Sequence, residues 1–241
     1  MKKKPVVLAF GAHPDDIEYL AAGTIALLKK AGCEIHTATL CGGELGSAVH
    51  TKTDIKNIRL KEAAKAAAVL GGTYHYAGGE DIELEFSREL RLKAARVVRD
   101  VNPDIVFTCA PVDYMADHEE VSKIVRNVCF YGPMPNYVTG NKPTDRVPHL
   151  YYWDPMEGKD YFGRQQYVGF YVDITSSMGT KVKMLKCHAS QREWLRAHHG
   201  LDSYIIQMQK QSEFRGAQAG VKYAEGFCQH LAHAFPQDNI L

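Results

Sequence analysis

No stretch of this chain approaches the 18 consecutive apolar residues that a membrane-spanning helix needs, which excludes a helical membrane anchor. Net charge is nearly absent. Lys and Arg number 29 against 28 Asp and Glu, leaving +1, so bulk electrostatics offer nothing to nucleic acid. Cysteine is sparse: six residues, at 33, 41, 109, 129, 187 and 228, form no CxxC pair. That argues against a disulfide framework or a cysteine-zinc site and for buried thiols in a reducing, cytoplasmic setting. Nucleotide signatures are missing too. The first loop reads Gly11-Ala12-His13-Pro14-Asp15-Asp16, without the Gly-x-Gly-x-x-Gly spacing, and two carboxylates there would repel a pyrophosphate. Neither a P-loop lysine nor a Gly-x-Ser-x-Gly elbow occurs. The absence of repeats, low-complexity stretches and charged linkers makes one domain over residues 1–241 the economical reading.

What is present is an ordinary globular composition, 45% hydrophobic and 24% charged, organised as alternating strands and helices. Met1 to Pro5 followed by Val6 to Ala9 superficially resembles a secretory leader, but its apolar core is short and cleavage near Ala12 would cut the His-Pro-Asp-Asp segment. Pro5–Phe10 therefore reads as a buried strand. A helix follows over Glu18–Ala31, then strand Glu34–Leu40, helix Asp54–Leu70, strand Thr73–Ala77, helix Phe86–Val101, strand Ile105–Cys109 and helix Glu119–Phe130. Strands separated by helices imply right-handed βαβ units and a parallel sheet. Residues 132–147 read as a long loop, His149–Asp154 and Tyr167–Ile174 as strands, and Ser176–Leu195 and Leu201–Ala219 as helices. Tyr223–Phe227 and the polar tail beyond it have no assigned element.

The chemistry concentrates after the first strand. In open α/β sheets ligands bind beyond the carboxyl ends of the strands. His13 and Asp16 have the chemistry to bind a divalent metal there, and Asp15 to carry protons. A catalytic zinc site takes three protein ligands and keeps a position for water. His118 is the best third ligand, because it too follows a parallel strand. Plainer readings stand beside these: the Asp pair serves equally well as a helix N-cap, and an isolated loop histidine is usually solvated. His230 and His233, three apart, are a weaker metal pair near the end of the chain.

Ala12-His13-Pro14-Asp15-Asp16-Ile17-Glu18 and Ala22-Gly23-Thr24 resemble the opening of the PIG-L/LmbE-like zinc N-deacetylases. Gly43-Glu44-Leu45-Gly46, Arg59-x-x-Glu62-Ala63, Pro103-Asp104-Ile105-Val106, Asp117-His118 and Lys186–Gln191 continue the pattern. The resemblance implies a Rossmann-like α/β fold, a mainly parallel sheet flanked by helices, with Zn2+ held by His13, Asp16 and His118 and with Asp15 as general base. It further implies Arg59, Asp81 and Glu44 as substrate contacts, a small N-acetylated sugar or related amide as substrate, and a homo-oligomer. One position departs: the family commonly has His-Pro-Asp-His where this chain reads Met115-Ala116-Asp117-His118. Tyr114 or His188 is then the candidate for the missing polar donor. The departure also keeps open a non-catalytic, sugar-binding member of the fold, or a hydrolase of another amide. Aromatic residues at 131, 137, 151–153, 161 and 162 suit a sugar site, a subunit interface or the core.

Overall fold

The computed structural model describes residues 4–199 and 204–241. Strand β1 (Val6–Gly11) is buried at every position, and its neighbours β2 (Glu34–Thr39) and β4 (Ile105–Thr108) pair with it in parallel on either side. Runs such as Val6-Val7-Leu8-Ala9-Phe10 are what a strand covered on both faces requires. Beyond them lie β3 (Thr73–Tyr76) and β5 (His149–Trp153), also parallel to their neighbours. Two further strands, β6 (Phe170–Asp173) and β7 (Ala224–Gln229), close that edge antiparallel, in the order β3-β2-β1-β4-β5-β7-β6.

The helices are α1 (Asp16–Leu20), α2 (Ala22–Lys30), α3 (Lys52–Val69), α4 (Arg88–Val101), α5 (Ala116–Tyr131), α6 (Met178–Leu185), α7 (Ala189–His199) and α8 (Tyr204–Ala219). Helix α4 packs on α5, and α6 packs on α1, α2 and α3. Strand order reverses at β1, so a topological switch point lies between β1 and β4, with five parallel strand ends opening on one edge of the sheet.

The α/β architecture matches the sequence expectation; several element boundaries do not. The single helix expected over Glu18–Ala31 is broken at Ala21, whose φ of −135° leaves the helical region between α1 and α2. The start of α2 has no side-chain cap of its own. Glu225, from β7, accepts from Gly23 N–H (2.9 Å) and Thr24 N–H (2.8 Å) instead, satisfying two of the orphan donors of that helix end. The helix expected over Ser176–Leu195 is likewise two, α6 and α7, interrupted around Lys186–His188. Here Ser190 N–H donates to Glu62 of α3 (2.9 Å), so a distant carboxylate again starts a helix. The first residues of the helix expected from Leu201 lie outside the described residues; it is helical from Tyr204. Helix α5 begins at Ala116, which makes Asp117 and His118 part of its first turn rather than of the preceding loop. Strand β7 went unassigned in the sequence because Ala-Glu-Gly-Phe-Cys-Gln has no clean alternation; its buried Glu225 answers Lys181 of α6, whose Nζ lies 2.5 Å from the carboxylate. All six cysteines are free thiols.

Burial pushes the Lys181 amine below its ordinary pKa, against the pull of Glu225. Replacing the carboxylate by an amide strands a buried cation and takes an acceptor from one of the two α2 N–H groups. Glu225→Gln is therefore expected to cost about 3–5 kcal/mol of stability in denaturant titrations; a loss below about 1 kcal/mol would show that the pair does not hold this edge.

Candidate active site

Loops after four parallel strands meet over the switch point. The loop after β1 brings His13, Asp15 and Asp16, that after β2 Leu45 and Gly46, that after β3 Asp81 and Ile82, and the segment after β4 Asp113 to His118. Together with Arg59, Gln191, Trp194 and Tyr204 they surround a cavity of about 310 Å3, within the range of small-ligand sites.

Asp16 organises the polar end. Its Oδ2 accepts from the backbone N–H groups of Ala12 and His13, both at 2.8 Å, which folds the loop back on itself. Its two oxygens face the imidazoles: His13 Nδ1 lies 3.8 Å from Oδ2 and His118 Nε2 3.4 Å from Oδ1. The ring centroids are 5.4 Å apart, so the two histidines, a hundred residues apart in sequence, share one site. The far nitrogen of each ring meets carboxylates. His13 Nε2 lies 3.0 Å from Asp81 and 3.1 Å from Asp117, and His118 Nδ1 lies 3.1 Å from Asp113. A proton on each outer nitrogen leaves the inner lone pairs of His13 and His118 beside the Asp16 oxygens. That is the donor set and outer support of a three-ligand metal site. The group also carries far more carboxylate than cation. Burial works against the charged form of His118, yet Asp16 and Asp113 hold its pKa up to about 10. A divalent cation fits this cluster.

A second group, His13, Cys41, Asp81 and Asp117, also has its donor atoms close together. Its members are already engaged: Asp81 accepts from Leu45 N–H (3.0 Å), Asp117 from Ile82 N–H (2.8 Å), and the Cys41 thiol donates to Ala12 C=O (3.1 Å). Burial pushes the Cys41 thiol up, keeping it neutral. This group therefore reads as the outer support of His13.

Asp15 points into the same cavity from a strained backbone. Its φ of 109° lies where residues other than glycine rarely sit. Arg59 Nη2 donates to Asp15 Oδ1 (3.2 Å) and to Pro14 C=O (2.8 Å), and the Tyr204 hydroxyl donates to Asp15 Oδ2. Burial raises the Asp15 carboxyl above its usual range while the Arg59 guanidinium draws it back. The Arg59 head also needs Gly43: a Cβ there would stand 2.3 Å from Nη1, and φ is +67°.

The expected residues separate as follows. His13, Asp16 and His118 converge, and Asp15, Arg59, Asp81 and Tyr114 line the cavity beside them. Tyr114 is 55% exposed and meets His118 edge-on. Asp81, expected at sugar hydroxyls, has one oxygen on His13 and the other on Leu45 N–H. Glu44, expected at the substrate, folds back to accept from Gly42 N–H (3.1 Å) and is not among the lining residues. His188 is buried off the cavity, its Nε2 3.3 Å from Glu18. Tyr151, Tyr152 and Trp153 belong to the core, and Tyr161 and Phe162 are exposed. Asp113 and Tyr204 were missed. Asp113 stands five residues before His118 with no metal-ligand spacing of its own, and Tyr204 lies 189 residues from Asp15 with no motif around it.

Comparison with known proteins finds a family model and relatives that this chain resembles. The family model described as PIG-L, GlcNAc-PI de-N-acetylase, matches residues 8–129, half of the chain. A diacetylchitobiose deacetylase of Thermococcus kodakarensis is 25% identical over 93% of this chain and 85% of its own length. A 4-oxalmesaconate hydratase of Pseudomonas putida is 26% identical over 76% of this chain and 73% of its own length. Among solved structures, the N,N'-diacetylchitobiose deacetylase of Pyrococcus horikoshii, in complex with an inhibitor, superimposes with a TM-score of 0.79 at 25% identity, covering 98% of this chain and 88% of that one.

The ligand assignment predicts a graded response to substitution. His118→Ala should abolish stoichiometric metal binding, while Asp113→Asn, which only loosens the imidazole, should weaken it by about 10- to 100-fold. Metal content after dialysis and competition with a chelating dye measure both. Unchanged affinity in the two variants would remove His118 from the ligand set.

Proposed function

Since the chain belongs to the PIG-L family of GlcNAc-PI de-N-acetylases, we propose that it is a zinc-dependent hydrolase that removes the acetyl group from a small, uncharged N-acetylated sugar or related amide. The observation that carries this reading is the placement of the Asp15 carboxylate, buried and held by Arg59 and Tyr204, in the cavity of the His13, Asp16 and His118 cluster.

His13, Asp16 and His118 would hold the ion. Zn2+ in such a site supplies a Lewis acid and brings the pKa of water to about 7. Asp15 takes a proton from the attacking water and returns it to the amine nitrogen as the C–N bond breaks, releasing acetate and a free amine. Arg59 and Tyr204 fix the carboxylate for both transfers. Tyr114, next to Met115 and lining the cavity, would donate to the oxygen on which charge develops.

The lining of the cavity supports an uncharged substrate. Tyr19, Tyr114, Met115, Met156, Trp194 and Leu195 present apolar faces, and Gln191 and Gln207 present amides. Arg59 is the sole Lys or Arg lining the cavity among the described residues, and it is spent on Asp15 and backbone carbonyls. The carboxylate substrates that the hydratase names denote would need further cations there. A homo-oligomer, as the resemblance implies, completes the reading.

Asp15→Asn should retain zinc and lose about 10²- to 10⁴-fold in acetate release from N-acetylglucosamine-type compounds, and Tyr114→Phe should lose about 10²- to 10³-fold. If Asp15→Asn loses zinc as His118→Ala does, base and ligand have been misassigned. If Tyr114→Phe turns over normally, the oxyanion donor is another group.

A further inference from the structure

The segment Lys186–Gln191 is only partly accounted for by the chemistry above. His188 meets Glu18 of α1, and Ser190 donates from both N–H and hydroxyl to Glu62 of α3, at 2.9 and 2.5 Å. These two ties clamp the first turn of α7 to α1 and α3, and Gln191 is the next residue. It lines the cavity, yet its carboxamide oxygen is enclosed without a hydrogen-bond partner among the described residues. Buried acceptors are almost always satisfied, so an orphaned one at a cavity wall points to a donor supplied from outside the chain.

The surroundings say where that donor sits. Gly46 lines the same cavity, and a Cβ on it would come within 3.5 Å of Gln191 Oε1 and 2.9 Å of Arg59 Nη1. With no side chain on Gly46, the glutamine amide and the guanidinium that holds Asp15 approach the same stretch of backbone at the cavity wall. The terminal amide torsion of glutamine is broad, so the oxygen can turn toward the cavity without moving α7.

We propose that Gln191 is a specificity-determining residue, accepting a hydrogen bond from a hydroxyl of the amine-bearing part of the substrate on the wall of the cavity that Gly46 and Arg59 also line. His188 and Ser190 act as positioning residues that hold α7 where the amide can do this. The inference rests on the cavity being the substrate site proposed above, and it names the group of the substrate that is read. An uncharged polyhydroxylated ring is retained by this contact, and a bare ring of the same size is not.

The test uses the full-length, zinc-loaded chain and Gln191→Met, which removes the amide and keeps the length. Acetate release is measured, with kcat and KM separated, on N-acetylglucosamine and on N-acetylcyclohexylamine, an all-carbon six-membered ring without hydroxyls. Calorimetry follows N-acetylglucosamine binding in an Asp15→Asn background, with and without Gln191→Met. The expected result is a 10- to 100-fold loss in kcat/KM and in affinity for the sugar. Turnover of the cyclohexyl amide should stay within about twofold of wild type, with metal content and Tm unchanged. Equal losses on both compounds, or undiminished sugar binding, would overturn the assignment. Sugar binding without acetate release from either compound would sink the deacetylase reading alone, and the Gln191→Met binding difference would still decide this one. Failure of the Asp15→Asn chain to bind the sugar at millimolar concentration overturns the assignment as well.

Discussion

The geometry of the site depends on one carboxylate. Asp16 closes the loop after β1 by taking two backbone N–H groups on one oxygen, and it faces an imidazole with each oxygen. Burial would favour its neutral form, but the charges of His118 and His13 and the donated N–H groups outweigh that and hold it ionised. Gly11 makes the close approach possible, since a Cβ there would stand 3.1 Å from the Asp16 Cβ. The same carboxylate thus shapes the loop, brings a candidate ligand to the switch point and faces both histidines.

Around that centre the fold repeatedly uses carboxylates from far along the chain to finish local structure. Glu225 begins α2 and neutralises Lys181, Glu62 begins α7, and Asp113, Asp81 and Asp117 orient the two imidazoles. Each is buried or nearly so and would be costly unpaired. Apart from Asp113 Oδ2, which has no hydrogen-bond partner among the described residues, their partners satisfy them, and in return segments that are distant in sequence become mechanically joined. The strain at Asp15 belongs to the same economy: an unfavourable φ persists because Arg59, Tyr204 and the Asp16 loop over-determine it.

Met115 illustrates how a departure from a family pattern is read in three dimensions. In sequence it removes a polar group near the candidate ligand His118. In the structure it is one of several apolar residues lining the cavity, which Tyr114, Gln191 and the clamped Asp15 also line. An imidazole in its place would add a titratable group to a cluster already dense in them; a thioether adds shape and no charge.

The sequence by itself determined the parallel α/β class, because apolar strand runs alternating with helices permit little else. It also determined the ligand candidates, because His13, Asp16 and His118 follow strands whose ends must share one edge. Short-range periodicity and motif spacing carry that much. Only the tertiary structure decided the rest. It broke two expected helices at Ala21 and around Lys186–His188, since the carboxylates that start their second halves come from β7 and α3. It sent Glu44 back to its own loop, put Asp81 on His13, buried His188 against Glu18 and brought Tyr204 to Asp15. Those outcomes are contacts between groups separated by up to 202 residues, and no local pattern in a chain encodes which distant side chain will satisfy a buried donor or charge.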